Sequence, residues 1–155
     1  MTTLHLMVGL PCSGKTTLAR QLEQDYSALR LSLDAWHTRL FGQDAEDDQH
    51  DARHSRIESL LWEIATRVLV LGVDVILDFG FWARSEREEY RTRAAELGAA
   101  SEIHFLDVPG EVLVERLAAR NADLPPEAFY IPEAYLKKWI RLFQPPTPDE
   151  LQRRE

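Results

Sequence analysis

Gly9-Leu10-Pro11-Cys12-Ser13-Gly14-Lys15-Thr16 is the stretch that decides how this chain folds. It satisfies the spacing G-x-x-x-x-G-K-[ST], and its setting gives the pattern meaning. Ahead of it, Leu4-His5-Leu6-Met7-Val8 is a short, mostly apolar run that predicts a strand. Behind it, Lys15 to Glu23 carries Leu18, Ala19 and Leu22 at helical spacing. Strand, glycine loop and helix together make a phosphate cradle. Glycines let successive backbone N–H groups turn inward around a polyphosphate, and the helix N-terminus adds the positive end of its dipole. Gly9, Pro11, Cys12, Ser13, Gly14, Lys15, Thr16 and Thr17 are therefore expected around a bound triphosphate. Lys15 can reach the β/γ oxygens, and the Thr16 hydroxyl can serve Mg²⁺. The alternative is a chance match on a structural turn. Cys12 occupies an unconstrained loop position, where it is either filler or a thiol whose pKa the helix end lowers enough for redox switching.

The same alternation continues outward. Leu29-Arg30-Leu31-Ser32-Leu33 reads as a second strand stopping at Asp34. Ile57, Leu60, Leu61, Ile64, Val68 and Leu71 form a helical stripe that Gly72 closes. Val73 to Leu77 predicts a third strand ended by Asp78, and Ser85-Glu86-Arg87-Glu88 has the form of a capping box opening a helix that Gly98 ends. Ile103 to Leu106 predicts a fourth strand and Glu111 to Arg120 a helix. After the loop Asn121 to Ile131, Pro132 is expected at the first position of a last helix, which Pro145-Pro146-Thr147-Pro148 terminates. Repeated βα units imply an α/β fold with a parallel sheet sandwiched by helices.

The 155 residues fit one domain spanning 1–155, with 18 basic and 26 acidic side chains giving a net charge of −8. Apolar residues at 45% and charged residues at 28% exclude a disordered or collagen-like chain. No apolar run is long enough for a membrane span, the N-terminus lacks a signal-peptide pattern, and one cysteine allows no internal disulfide, so a cytoplasmic location is expected. The acidity disfavours a long polyanionic partner without excluding a nucleotide.

The use of the nucleotide turns on other residues. A GTPase switch usually needs an Asn-Lys-x-Asp element, which Lys15, Lys137 and Lys138 do not supply. A motor commonly has a water-activating glutamate after the strand-end aspartate, whereas Phe79-Gly80-Phe81-Trp82 follows Asp78. Aromatic walls suit a desolvated acceptor pocket, though the same rings could serve as core. Asp34, at the C-terminal end of the second strand, could accept a hydroxyl proton, cap the following helix, or do both. Arg39 lies five residues on and could steady acceptor or phosphoryl charge. Asp78 could hold Mg²⁺ or initiate a turn. Arg116 and Arg120 share a helix face from which they could reach transferring phosphate, and Arg84 and Arg87 are further candidates for the acceptor. His50 and His54 have metal-ligand spacing but lack further convergent ligands in sequence. Asp44 to Asp51, with five acids in eight positions, reads as a solvated segment or an acceptor-side flap.

Together these residues resemble the P-loop kinases grouped with the polynucleotide 5′-kinase domain, zeta toxins and chloramphenicol phosphotransferase. Ser32-Leu33-Asp34-Ala35-Trp36, Leu40-Phe41-Gly42, Leu77 to Arg84 and Arg120-Asn121 are similar to a large bacterial group of small predicted kinases with mostly unassigned acceptors. The resemblance implies a P-loop NTPase fold with a small lid near 116–132, and ATP and Mg²⁺ as cofactors. It further implies Asp34 as general base, Lys15, Arg116 and Arg120 as catalytic cations, Thr16 and Asp78 as metal ligands, and an acceptor site near Asp34, Arg39, Phe81, Trp82, Arg84 and Arg87. The expected activity is transfer of a γ-phosphoryl group to a hydroxyl of a sugar, nucleoside or antibiotic. A 5′-hydroxyl polynucleotide kinase and a non-catalytic nucleotide-dependent module are the alternatives. Two departures bear on the acceptor: His37 stands where the polynucleotide pattern has an arginine three residues after the base, and the segment after Asp78 is aromatic instead of polar.

Overall fold

Side-chain alternation in the first strand determines what packs on each face of the sheet. In the computed structural model, which describes residues 1–155, strand β1 (Thr3–Val8) is buried throughout. Leu4, Leu6 and Val8 enter one core cluster with Ile57, Leu61, Val75 and Leu77, while Met7 enters another with Ala19, Leu22 and Ile76. The second cluster lies under helix α1 (Lys15–Tyr26), and the first lies under helices α3 (His50–Val70) and α4 (Arg84–Glu96). Strands β2 (Leu29–Ser32), β3 (Val75–Gly80) and β4 (Ala100–Phe105) complete a parallel four-stranded sheet in the order β2-β3-β1-β4. The chain therefore leaves β1 toward one edge and later returns past it to the other, which places a crevice at the C-terminal ends of β1 and β3.

The remaining helices are α2 (Leu33–Phe41), α5 (Gly110–Ala122) and α6 (Glu133–Leu142). A third apolar cluster of Leu10, Leu113, Leu117, Ile131 and Leu136 joins α5 and α6 to the loop after β1. No helix is long and apolar enough to cross a membrane.

Several boundaries differ from the sequence expectation for local reasons. Helix α2 begins immediately after Ser32, whose Oγ accepts from the Ala35 N–H at 3.3 Å, so Ser32 is the cap and Asp34 is free in the first turn. Strand β3 starts at Val75 and runs on to Gly80, because neighbours on both sides continue its ladder through Ser32↔Asp78 and Val8↔Gly80. The Ser85 capping box does not form: helix α4 starts at Arg84 with Ala83 as a cap that provides no side-chain bond. Pro132 precedes α6 as its cap instead of occupying the first helical position. Gly72 and Gly98 do follow their helices with φ of 94° and 73°.

Candidate functional site

The loop after β1 depends on two glycines for different reasons. A Cβ on Gly9 would meet Ser13 Oγ at 2.6 Å, so a side chain there must displace the Ser13 hydroxyl from the loop. Gly14 has φ +95°, the left-handed conformation that turns the chain into α1. Cys12 takes the same region at φ 70° without glycine's freedom, a strain held within the loop. The Ser13 Oγ inside the loop is buried without a hydrogen-bond partner.

Period two in β3 then separates two functions. Asp78 shares the α1 face with Ile76, and its Oδ2 accepts from Thr16 Oγ1 at 2.8 Å. Arg30, on the neighbouring strand, approaches the same oxygen at 4.0 Å. Phe79 turns to the opposite face and packs on the cluster under α3 and α4. Lys15, Thr16, Thr17, Arg20, Arg30, Asp34, Asp78, Arg116 and Arg120 line one cavity of about 520 Å³ above α1. Arg116 Nη1 donates to the Cys12 carbonyl at 3.1 Å, and Arg120 Nη2 donates to the Phe129 carbonyl at 3.2 Å. The Nε atoms of Arg30 and Arg120 are buried without hydrogen-bond partners, that of Arg30 lying 3.8 Å from Glu23 Oε2, and the cations of this lining suit a phosphate.

A second cavity of about 940 Å³ opens on the other side of Asp34. Phe79, Phe81, Trp82, Phe129, Tyr130, Tyr135 and Trp139 supply its rings, and Asp34, Glu46, Asp51, Glu58 and Glu86 its carboxylates. Lys15 is the single lysine or arginine in this lining. Pro11, Lys15, Asp34 and Phe79 border both cavities. Burial raises the Glu86 carboxyl pKa, and the neighbouring Glu58 adds to the shift. Phe81 holds φ 45°, and its carbonyl and that of Trp82 accept from Arg87 at 2.9 and 3.2 Å. Across the mouth, Gln43 Nε2 donates to the Ala128 carbonyl at 2.7 Å and its Oε1 accepts from the Tyr130 N–H at 2.8 Å. The α2–α3 connection and the segment before α6 are thus tied together.

The structure does not bring every candidate to these cavities. Arg87 is fully buried in a pair with Glu150, Nε to Oε1 at 2.9 Å, so it cannot meet an acceptor. Arg84 faces the C-terminal segment, bonded to Thr147 and Asp149 at 3.4 Å each. Both arginines hold a tail that also bridges Ser101 through Arg154. Arg39 is exposed on α2 and lines neither cavity. The acidic segment is not uniformly solvated, since Asp44 is buried and bonded to His37, His50 and Arg53. Burial pushes its carboxyl pKa up, but these hydrogen bonds outweigh that and hold it well below the usual carboxylate range. Arg20, Arg30 and Gln43 were not anticipated. For Arg30 the signal was available, as a charge on the Ser32 face of a short strand beside Asp78.

A model of the AAA domain family designated AAA_33 matches residues 4–146. No protein of curated function matches the sequence. Among solved structures, a chain of the Pnkp1/Rnl/Hen1 RNA repair complex is similar at 22% identity and a TM-score of 0.75, covering 91% of this chain and 43% of that one. A putative kinase from Chloroflexus aurantiacus J-10-fl shares 23% identity at TM-score 0.72, covering 95% of this chain and 83% of that one. A sugar kinase from Janibacter sp. HTCC2649 shares 21% identity at TM-score 0.67, covering 97% and 82%. This chain thus spans less than half of the RNA repair protein, and the likenesses establish a common fold. With the glycine loop, the parallel sheet and a family match over nearly the whole length, the chain belongs to the AAA_33 family of AAA domains.

Proposed function

We propose that the protein transfers the γ-phosphoryl group of ATP to a hydroxyl of a small molecule held in the larger cavity. The observation that carries this reading is the position of Asp34 and Lys15 on the boundary of both cavities. A carboxylate there can orient an incoming hydroxyl and take its proton as the bond to phosphorus forms, while Lys15 steadies the phosphate oxygens. Arg116 and Arg120 reach the loop from α5 and offset charge on the transferring group. The Thr16 hydroxyl and the Asp78 carboxylate converge as hard oxygen ligands, so they fit Mg²⁺, which when bound would neutralise β/γ-phosphate charge. The lid near 116–132 comprises the end of α5 and the segment after it, which Gln43 holds through Ala128 and Tyr130, within a single domain.

The charge partition supports a small acceptor. The nucleotide cavity collects Lys15, Arg20, Arg30, Arg116 and Arg120, whereas the acceptor cavity has five carboxylates against Lys15 alone. A polynucleotide strand would be repelled from those carboxylates, and a cavity of about 940 Å³ takes a compact molecule. Incubation with γ-labelled ATP and either a panel of sugars, nucleosides and hydroxylated antibiotics or a 5′-hydroxyl oligonucleotide tests the proposal. Labelling of a small alcohol is the expected result. Preferential, salt-sensitive labelling of the oligonucleotide would replace this reading with the polynucleotide one, and tight ATP binding with no transfer would favour a regulatory module.

A further inference from the structure

Three histidines converge beside the larger cavity, and the phosphoryl-transfer chemistry uses none of them. His50 and His54 stand four apart in the first turns of α3, and His37 reaches them from the packed face of α2. Each offers one ring nitrogen, all within 4.8 Å of one another. Asp44, from the connecting loop, fixes the tautomers. Its Oδ1 lies 2.7 Å from His37 Nε2 and 2.7 Å from His50 Nδ1, and an ionised carboxylate only accepts. Both rings therefore carry their proton toward Asp44, leaving lone pairs on His37 Nδ1 and His50 Nε2. Arg53 donates to the other Asp44 oxygen at 3.0 Å and keeps the carboxylate ionised and in place. This is the outer-shell arrangement that orients imidazole ligands around a metal ion.

We propose that His37, His50 and His54 form a site for a first-row transition-metal dication, with Zn²⁺ the best match to three neutral imidazoles. His37 Nδ1 and His54 Nδ1 are 2.9 Å apart, joined in the metal-free protein by one shared proton. Zn–N bonds of roughly 2.0–2.1 Å in tetrahedral geometry set ligand nitrogens about 3.3 Å apart, so this pair needs to separate by only ~0.4 Å, and the three ligand nitrogens already lie within 4.8 Å of one another. On binding, the His54 proton moves from Nδ1 to Nε2 through solvent, and the ring stays neutral. His37 is fully buried, whereas His50 and His54 line the cavity. The site is thus closed on the His37 side and reached from the cavity on the side of His50 and His54. A second group, His5, Glu102 and His104, has two imidazoles, and the buried His5 is paired with Asp74 and His104.

Titration of metal-stripped protein with Zn²⁺ by calorimetry, and with Co²⁺ by visible absorption, tests the site. One equivalent of Zn²⁺ and the intense bands of tetrahedral Co²⁺ are expected. His50→Ala and His54→Ala should each weaken uptake at least about tenfold, and Asp44→Asn by roughly 10–100-fold, the usual effect of removing an outer-shell partner. Thermal melting and ATP binding at the other cavity establish that each variant is folded. His104→Ala should bind as the unaltered protein does. Absence of stoichiometric uptake would overturn the proposal, as would uptake that survives both His50→Ala and His54→Ala.

Discussion

Replacing Arg87 by methionine tests whether the structure is right to withdraw this residue from the acceptor site. The guanidinium and its partner Glu150 are both fully buried. Arg87 makes four hydrogen bonds, to Glu150 Oε1 and Oε2 at 2.9 and 3.3 Å and to the carbonyls of Phe81 and Trp82. Removing one member of a buried pair strands the other charge, at a cost of about 3–5 kcal/mol. For a chain of this size, that corresponds to a fall in Tm of roughly 6–20 °C. The pH dependence gives a second readout. Burial raises the Glu150 pKa, but hydrogen bonds from Arg87 and from the Thr147 N–H more than offset this and leave it lowered. A depressed carboxylate contributes stability above its unfolded pKa, near 4.3, and loses it as pH falls through the folded value. In Arg87→Met the burial effect dominates and the folded pKa rises above the unfolded one. The variant's deficit should therefore be largest at pH 8 and shrink toward pH 5, and adding Glu150→Gln should recover part of it at pH 8. Urea denaturation at both pH values measures these differences. An Arg87→Met protein within 0.5 kcal/mol of the original, or a deficit unchanged by pH, would refute the assignment.

Other expected outcomes concern the cavities. Gly9→Ala forces the Ser13 hydroxyl out of the loop, so calorimetry should show ATP affinity weakened by about tenfold or more, about 1.4 kcal/mol; unchanged affinity would contradict the packing argument. Gln43→Ala removes two exposed hydrogen bonds across the cavity mouth, which water replaces at little cost to the fold. Its KM for the acceptor should rise with little change in Tm, and an unaltered KM would dismiss the lid. Among alcohols matched except for an amine in place of one hydroxyl, the ammonium member should be preferred because carboxylates and rings surround it. Glu86→Gln should reduce that preference, and preference for the neutral member would count against the cavity's electrostatics.

The sequence made the nucleotide side legible because its chemistry is local. Eight consecutive residues carry the loop, and Asp34 and Asp78 follow or end short apolar runs, so their place on the C-terminal edge of the sheet follows from strand order. The acceptor side is assembled from distant segments. Arg84 and Arg87 follow the aromatic run and look like acceptor residues, yet the return of Thr147 to Glu150 onto α4 claims both, and no spacing in the chain announces that return. The pair His50 and His54 was visible as i, i+4, but His37 and Asp44 reach it through the packing of α2 on α3 and the intervening loop. Asp34 reads in the sequence as a cap, a base or both, and the Ser32 hydroxyl takes the cap.

That release of Asp34 leads to the most direct measurement. Single-turnover transfer from labelled ATP to the best acceptor should fall by roughly 10²–10⁴-fold in Asp34→Asn, with ATP affinity unchanged, as loss of a general base requires. Transfer at the original rate in a variant that binds ATP normally would contradict the claim that chemistry takes place where the two cavities meet.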